Sequence, residues 1–254
     1  MISAAVTFLT IGVADLIAGG LQGTPASKPR ALIGIFGGSL IALIGGPFAA
    51  SRSALLLAFW VNLVGVTSWL LLRASSRFDG RRAWLALAAL TLHLGFGIGS
   101  AGLWTISSDT WIDRWLATLA FPALRNLDAS LFLLIASQFV LLAATANGVV
   151  RTVLVAAGTN FQRSEQQLSG GRAIGLLERW MIFGLILSGA PTAAGFVVSA
   201  KSILRFPELA RVAGSSQTDP SAPVQSVDYV TEYFLLGSLV SWLLAIGLGV
   251  LTAG

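Results

Sequence analysis

The chain has 254 residues, of which 55% are hydrophobic and 11% charged, with a net charge of +5 and a mean hydropathy of +0.81. An ordinary soluble domain carries about 25% charged residues, so these apolar runs are too many for one water-soluble core. The basic residues sit in short segments between apolar runs, the pattern of a topology signal rather than of a nucleic-acid surface. There is no cysteine, which excludes disulfides, thiolate metal sites and cysteine nucleophiles.

These features predict an all-α polytopic transmembrane helix bundle, a single membrane domain over 1–254 with the lipid bilayer as its surroundings. Seven spans are expected, at roughly 2–20, 31–50, 53–72, 83–104, 129–148, 175–200 and 229–251, each near the ~20 residues a crossing requires. The first lacks a positively charged leader and reads as a retained helix rather than a cleaved signal. Its Asp15, near the end of the span, is expected to reach the interface. The segment QGTPASKPR reads as a loop. Spans two and three, separated by Ser51 and Arg52, form a tight antiparallel hairpin, and the arginines of RASSRFDGRR are the densest positive cluster, a cytoplasmic marker.

The first four spans fill 1–104, and residues 105–128 hold a different element. Trp111, Ile112, Trp115, Leu116 and Leu119 recur at helical spacing while Asp113, Arg114 and Thr118 face elsewhere, which predicts a short interfacial helix ended by Pro122. The remaining three spans occupy 129–254. Span five begins after Asn126 and Asp128, good N-cap types. Beyond Asn147 and Gly148, the stretch VVRTVLVAAG either prolongs that helix or lies at the membrane surface. Residues 159–172 and 211–227 are polar connections.

Span six lies within Gly170–Pro207. A continuous helix would separate Glu178 from Lys201 by about 34 Å, against a hydrocarbon core of about 30 Å, so the charges would flank the core. Pro191 removes a backbone donor and predicts a kink, which Gly189 and Ser188 accommodate. With seven spans and the N-terminus outside, Lys28, Arg30, Arg73, Arg77, Arg81, Arg82, Arg151, Arg163, Arg172 and Arg179 are cytoplasmic. Arg52, Arg114, Arg125, Lys201, Arg205 and Arg211 fall on the other side. The positive-inside rule then favours N-out and C-in.

Small residues recur at four-residue intervals: Gly34, Gly38, Ala42 and Gly46 in span two, Gly237, Ser241, Ala245 and Gly249 in span seven, Gly95 and Gly99 in span four. Span six offers Gly184, Ser188, Pro191, Gly195, Ser199 and Ser202 on one face. Close backbone approach over such stripes drives association in lipid. Two uses stand, packing within the chain and an interface through span two with a second copy or a membrane-protein partner.

Ionisable residues in membrane helices are functional candidates because burying them is costly. Lys201, Arg205 and Glu208 share one side of the end of span six, and Glu232 lies one turn into span seven, so Lys201 or Arg205 is expected to pair with Glu232. Glu178 has Arg151 or Arg179 available. Asn62, His93 and Gln138 each fall near the middle of a span and are expected to form one hydrogen-bonded layer. The lone histidine is either a neutral cross-link between helices or a proton relay. One histidine does not make a metal site, and no HExxH, GxxxxGK[ST] or GxSxG motif is present, so no metal, cofactor or catalytic residue is expected.

Three motifs then occur in order: Gly171-Arg172-Ala173-Ile174-Gly175-Leu176-Leu177-Glu178-Arg179, Ala200-Lys201-Ser202-Ile203-Leu204-Arg205-Phe206, and the run from Glu232 to Ser241. They resemble the GRxIGxLER, AKSIxRF and EYxLxGxLxS signatures of an uncharacterised bacterial integral-membrane family, a domain of unknown function, over roughly residues 125–250. The resemblance implies a bacterial inner-membrane protein and singles out Glu178, Arg179, Lys201, Ser202, Arg205 and Glu232. The expected function is a non-enzymatic accessory or assembly subunit of a membrane complex. The alternative is a small secondary transporter or ion- or proton-conducting subunit, with His93 at mid-depth and Lys201 and Glu232 at one mouth.

Overall fold

The computed structural model describes residues 1–22, 27–44, 49–76, 79–104, 110–158, 171–215 and 225–253, with side chains at all of these except 22, 44, 103, 171–173, 204–215 and 225–234. The described residues are all-helical, with one isolated bridge between Ala49 and Trp104 and no strand. They fall into two compact units, Met1–Thr152 and Val153–Gly254. Four helices are long and apolar enough to cross a membrane, Ile2–Gly19, Arg52–Ser75, Gly80–Gly99 and Leu235–Ala253, and a bent pair over Ala129–Ala156 makes a fifth candidate. The helical membrane architecture is therefore met, and among the described residues four or five of the seven expected spans are matched by length and composition.

The first unit is built around α1 (Ile2–Gly19), which packs against α2 (Lys28–Ile44), α3 (Arg52–Ser75), α4 (Gly80–Gly99) and α7 (Ala129–Ala143). Helices surrounded on most sides need small residues where backbones approach, and α2 supplies them. A Cβ on Gly38 would lie 2.6 Å from the Ala14 Cβ and 2.7 Å from the Thr10 carbonyl oxygen. One on Gly34 would lie 2.7 Å from the Ala14 carbonyl oxygen. This stripe packs within the chain, and Gly46 lies outside the described residues. The outward face of α2, Leu32, Ile33, Phe36 and Leu40, is exposed apolar surface. In α4 the expected glycines are not the packing ones. Gly95 and Gly99 face open space, whereas a Cβ on Gly97 would press the Thr7 side chain of α1.

Helix starts follow capping chemistry. Ser51 accepts from the Ala54 N–H to begin α3, and Asp79 accepts from the Arg81 and Arg82 N–H groups to begin α4. The interfacial segment forms α5 (Trp111–Ala117), opened by a capping box between Thr110 and Asp113. Pro122 does not end that helix, which stops at Ala117 with Thr118 as its C-cap, before Leu119; the proline sits instead at the first turn of α6 (Pro122–Arg125). Ile112 and Leu116 turn inward onto Ile2, Val6, Ala42 and Ala129, while Trp111 and Trp115 stay exposed. Asp113 Oδ1 also accepts from the Ala129 N–H at 2.8 Å, tying α5 to the start of α7. Its carboxyl is held below the usual carboxylate value, chiefly by the Thr110 hydroxyl. Asp128 caps α7. The stretch after Gly148 continues as helix: α8 runs Thr145–Ala156, bent from α7 by 46°.

The second unit departs most from expectation. Span six is not one kinked helix but two, α9 (Gly171–Leu187) and α10 (Pro191–Ser215), followed by α11 (Gln225–Ala253). Gly189 has φ 76, a conformation natural to glycine. The Ala190 N–H bonds the Leu185 carbonyl at 2.9 Å and the Gly189 N–H bonds the Ile186 carbonyl at 3.0 Å. Those two bonds are a Schellman termination, and they close α9. Pro191 then opens α10 at a position where its missing N–H leaves nothing unsatisfied. The small-residue face expected along a continuous span is thus divided. Gly184 and Gly195 face open space, and Ser188, Ser199 and Ser202 are exposed and bond carbonyls of their own helices. The α11 stripe does pack: Ser241 and Ala245 are buried, and a Cβ on Gly249 would lie 2.9 Å from the Ile186 Cγ2 of α9.

Because Gly38 has no room for a side chain and Gly95 has, Gly38→Leu is expected to destabilise the first unit by about 1–3 kcal/mol or to prevent its assembly. Gly95→Ala is expected to leave stability unchanged or slightly raised. Thermal unfolding of the purified protein in detergent distinguishes them; equal melting temperatures would refute the α1–α2 packing.

Candidate functional site

Among the described residues each unit buries one carboxylate, and the two are handled alike. In the first, Asp15 near the end of α1 is 1% exposed rather than reaching the interface. Its Oδ2 accepts from the Trp69 indole N–H at 2.8 Å. Its Oδ1 lies 2.7 Å from Arg73 Nη1, an ion contact too oblique for a directed hydrogen bond. The Arg73 guanidinium stands 5.1 Å from the Trp69 ring centroid, close enough for a cation–π contribution. Trp69 and Arg73 are four residues apart on α3, so one helix face presents both to α1. A side chain at Gly148 of α8 would collide with the guanidinium, and the neighbouring Asn147 donates to the Leu21 carbonyl at 2.7 Å.

In the second unit, Glu178 of α9 is buried and accepts from the Trp242 indole N–H of α11 at 2.7 Å. Its other oxygen is ion-paired to Lys201 of α10. Lys201 Nζ stands 5.5 Å from the Trp242 ring centroid. Glu178 and Lys201 therefore touch, instead of flanking the membrane at opposite faces. The reason is the reversal at Gly189 and Pro191, which lays the two halves of the former span side by side. Beside them Arg179, also buried, donates to Ser241 Oγ at 3.1 Å. Four of the six residues singled out by the motifs, Glu178, Arg179, Lys201 and Ser202, have described side chains. The first three converge on α11, and Ser202 is exposed, donating to the Val198 carbonyl at 3.1 Å. The ion pair of Glu178 is with Lys201, and Arg179, one of its two expected partners, interacts with it electrostatically. The expected contact of Lys201 or Arg205 with Glu232 involves the Arg205 and Glu232 side chains, which lie outside the described residues.

The mid-span polar residues occupy a common level without bonding as expected. The helix contacts Gly97 on Thr7, Gly65 on the His93 ring and Gly12 on Val140 and Leu141 place them there. Asn62 and Gln138 each lie within one turn of such a contact. All three are buried. Asn62 donates to the Ala58 carbonyl of its own helix at 2.8 Å. Neither its Oδ1 nor either nitrogen of His93 has a hydrogen-bond partner, so His93 does not cross-link helices. Among the described residues no group of three His, Cys, Asp or Glu could hold a metal ion.

The sequence reading gives Asp15 no partner and does not pair it with Trp69 and Arg73, or Glu178 with Trp242, although the Trp69/Arg73 spacing opposite an intramembrane aspartate is a usable signal. No protein-family model, curated protein or solved structure matches the chain.

Removing one partner of a buried pair strands the other charge, a loss of about 3–5 kcal/mol. Lys201→Met and Arg73→Met are each expected to lower stability on that scale. The doubles Glu178→Gln/Lys201→Met and Asp15→Asn/Arg73→Met are expected to recover most of the loss. Unfolding midpoints of these variants together with the singles Glu178→Gln and Asp15→Asn decide this, and additive losses in the doubles would show that the pairs are not coupled.

Proposed function

We propose that the chain is a multi-pass protein of the bacterial inner membrane that serves as a non-enzymatic accessory or assembly subunit of a membrane complex. The observation that carries this reading is the repeated triad of carboxylate, indole and cation. In Asp15–Trp69–Arg73 and in Glu178–Trp242–Lys201, buried charge is compensated between neighbouring helices of one unit. Charges compensated in that way hold helices in register rather than remaining available for cargo. The exposed apolar face of α2 supports the same reading, since lipid or a membrane partner covers such a surface. The family resemblance is part of the proposal, its Glu178, Arg179 and Lys201 meeting at the second triad.

A second reading, a small transporter or ion-conducting subunit, is favoured by one feature, the unpartnered polar atoms of Asn62 and His93 deep in the first unit. The two readings separate on purification from the native membrane in mild detergent. A stoichiometric partner identified by mass spectrometry is expected. A homogeneous single-chain species that carries flux in liposomes would replace the accessory reading with transport.

The orientation we propose differs from the one that seven spans predict. A hairpin at Gly189 returns the chain to the side it came from, whether it crosses the hydrocarbon or only dips into it. Lys201, Arg205 and Arg211 then join the ten basic residues assigned to the cytoplasm, leaving Arg52, Arg114 and Arg125 opposite. Thirteen of the sixteen Lys and Arg residues fall on one side, a far stronger positive-inside bias. Both termini are then extracytoplasmic. A C-terminal alkaline phosphatase fusion is expected to be active and a C-terminal green fluorescent protein fusion dark; the reverse pattern would restore the C-in topology.

A further inference from the structure

The level of His93 in the first unit carries an inference independent of the accessory reading. His93 on α4 is 4% exposed and Asn62 on α3 is 1% exposed. The imidazole lies against the α3 backbone at Gly65, where any side chain would collide with the ring. Both of its nitrogens lack partners, as does Asn62 Oδ1. Along α1, Ser3, Thr7 and Thr10 follow at helical intervals and are all buried. Thr10 is occupied with the Val6 carbonyl at 2.7 Å, Thr7 packs on Gly97 of α4, and Ser3 Oγ is without a partner.

A buried polar group left unsatisfied is penalised by about 1–3 kcal/mol. A neutral imidazole offers one donor and one acceptor, and Asn62 Oδ1 offers an acceptor. Gly65 of α3 lies against the ring, and Asn62 one turn before it on α3 and Thr7 of α1, which packs on Gly97 one turn further along α4, are likewise non-ionic. The nearest ionic groups along those helices, Asp15 and Arg73, lie about two turns further on and are paired with each other. A site with mixed donors and acceptors and no fixed charge suits a small neutral hydrogen-bonding ligand. We propose that the His93–Asn62 level is an internal hydration site, in which exchangeable water bridges the neutral imidazole and the Asn62 carbonyl oxygen. Water with about three hydrogen bonds is the usual occupant of such positions in proteins. The site gives the first unit a polar station at mid-bundle, with the Asp15–Trp69–Arg73 triad beyond it.

The sequence holds a single histidine, so labelling with ¹⁵N-histidine yields one pair of ring signals that need no assignment. Full-length protein in lipid bilayers is examined by magic-angle-spinning NMR, with magnetisation transferred from water protons to the ring nitrogens. A neutral ring receiving transfer from water is expected, with at least a twofold loss of transfer in Asn62→Leu while the ring signals persist. No transfer in the wild-type protein, while the exposed Lys28 ammonium of a separate ¹⁵N-lysine-labelled sample receives it normally, would overturn the proposal. So would a doubly protonated ring at neutral pH, or transfer unchanged by Asn62→Leu.

Discussion

A carboxylate removed from water among apolar helices is unfavourable by several kilocalories per mole unless opposite charge and hydrogen-bond donors reach it. That constraint determines much of each unit. Asp15 requires α3 to present Trp69 and Arg73 to α1, which fixes both the rotation and the axial position of α3. Glu178 requires α10 and α11 together, because its cation comes from one and its indole from the other. The indole has two functions in each triad. Its N–H satisfies a carboxylate lone pair, and its π face lies near the cation, so one side chain stabilises both charges.

Polar contacts of this kind need backbones close enough for short side chains to meet, and small residues provide that closeness. Gly34 and Gly38 bring α2 against α1 at Ala14, one residue before Asp15. In the second unit Gly249 and Ala245 seat α11 on α9 below Ser241, which receives Arg179. Packing without a hydrophobic driving force depends on contact surface and on polar partners together. Here the two occur on the same helix faces.

The apolar runs of the chain make its helical membrane class and several of its helices legible, and the four-residue spacing of Gly34 and Gly38 identifies a packing face. The capping residue Asp128 and the helix at Trp111–Ala117 are likewise readable, since they depend on neighbours within one turn; that Ile112 and Leu116 turn inward and the tryptophans do not is a tertiary matter. What sequence alone did not resolve is long-range. Asp15 looked peripheral because its partners lie more than fifty positions away on α3. In α4, glycine spacing suggested Gly95 and Gly99, but which glycine packs is decided by helix rotation, and the buried face is the one carrying His93 and Gly97. Pro191 was read as a kink because a mid-span proline usually is one. The preceding Gly189 was the better sign, since a glycine two residues before a proline favours termination and restart over bending.

The reversal at Gly189 and the second triad are parts of one construction. The Schellman turn ends α9 at Leu187 and allows α10 to begin at Pro191. Counting outward from the turn, Glu178 and Lys201 stand almost equally far along their arms, about 15 Å at 1.5 Å per residue. Equal arms bring the carboxylate and the ammonium to one depth, where Trp242 of α11 reaches both. Adding or removing a residue in either arm would move its charge by about 1.5 Å along the axis and rotate it by about 100°, away from its partner. The hairpin thus sets the register that neutralises Glu178. In return, the neutralised pair holds the two arms together at the end away from the turn, where no backbone hydrogen bond joins them.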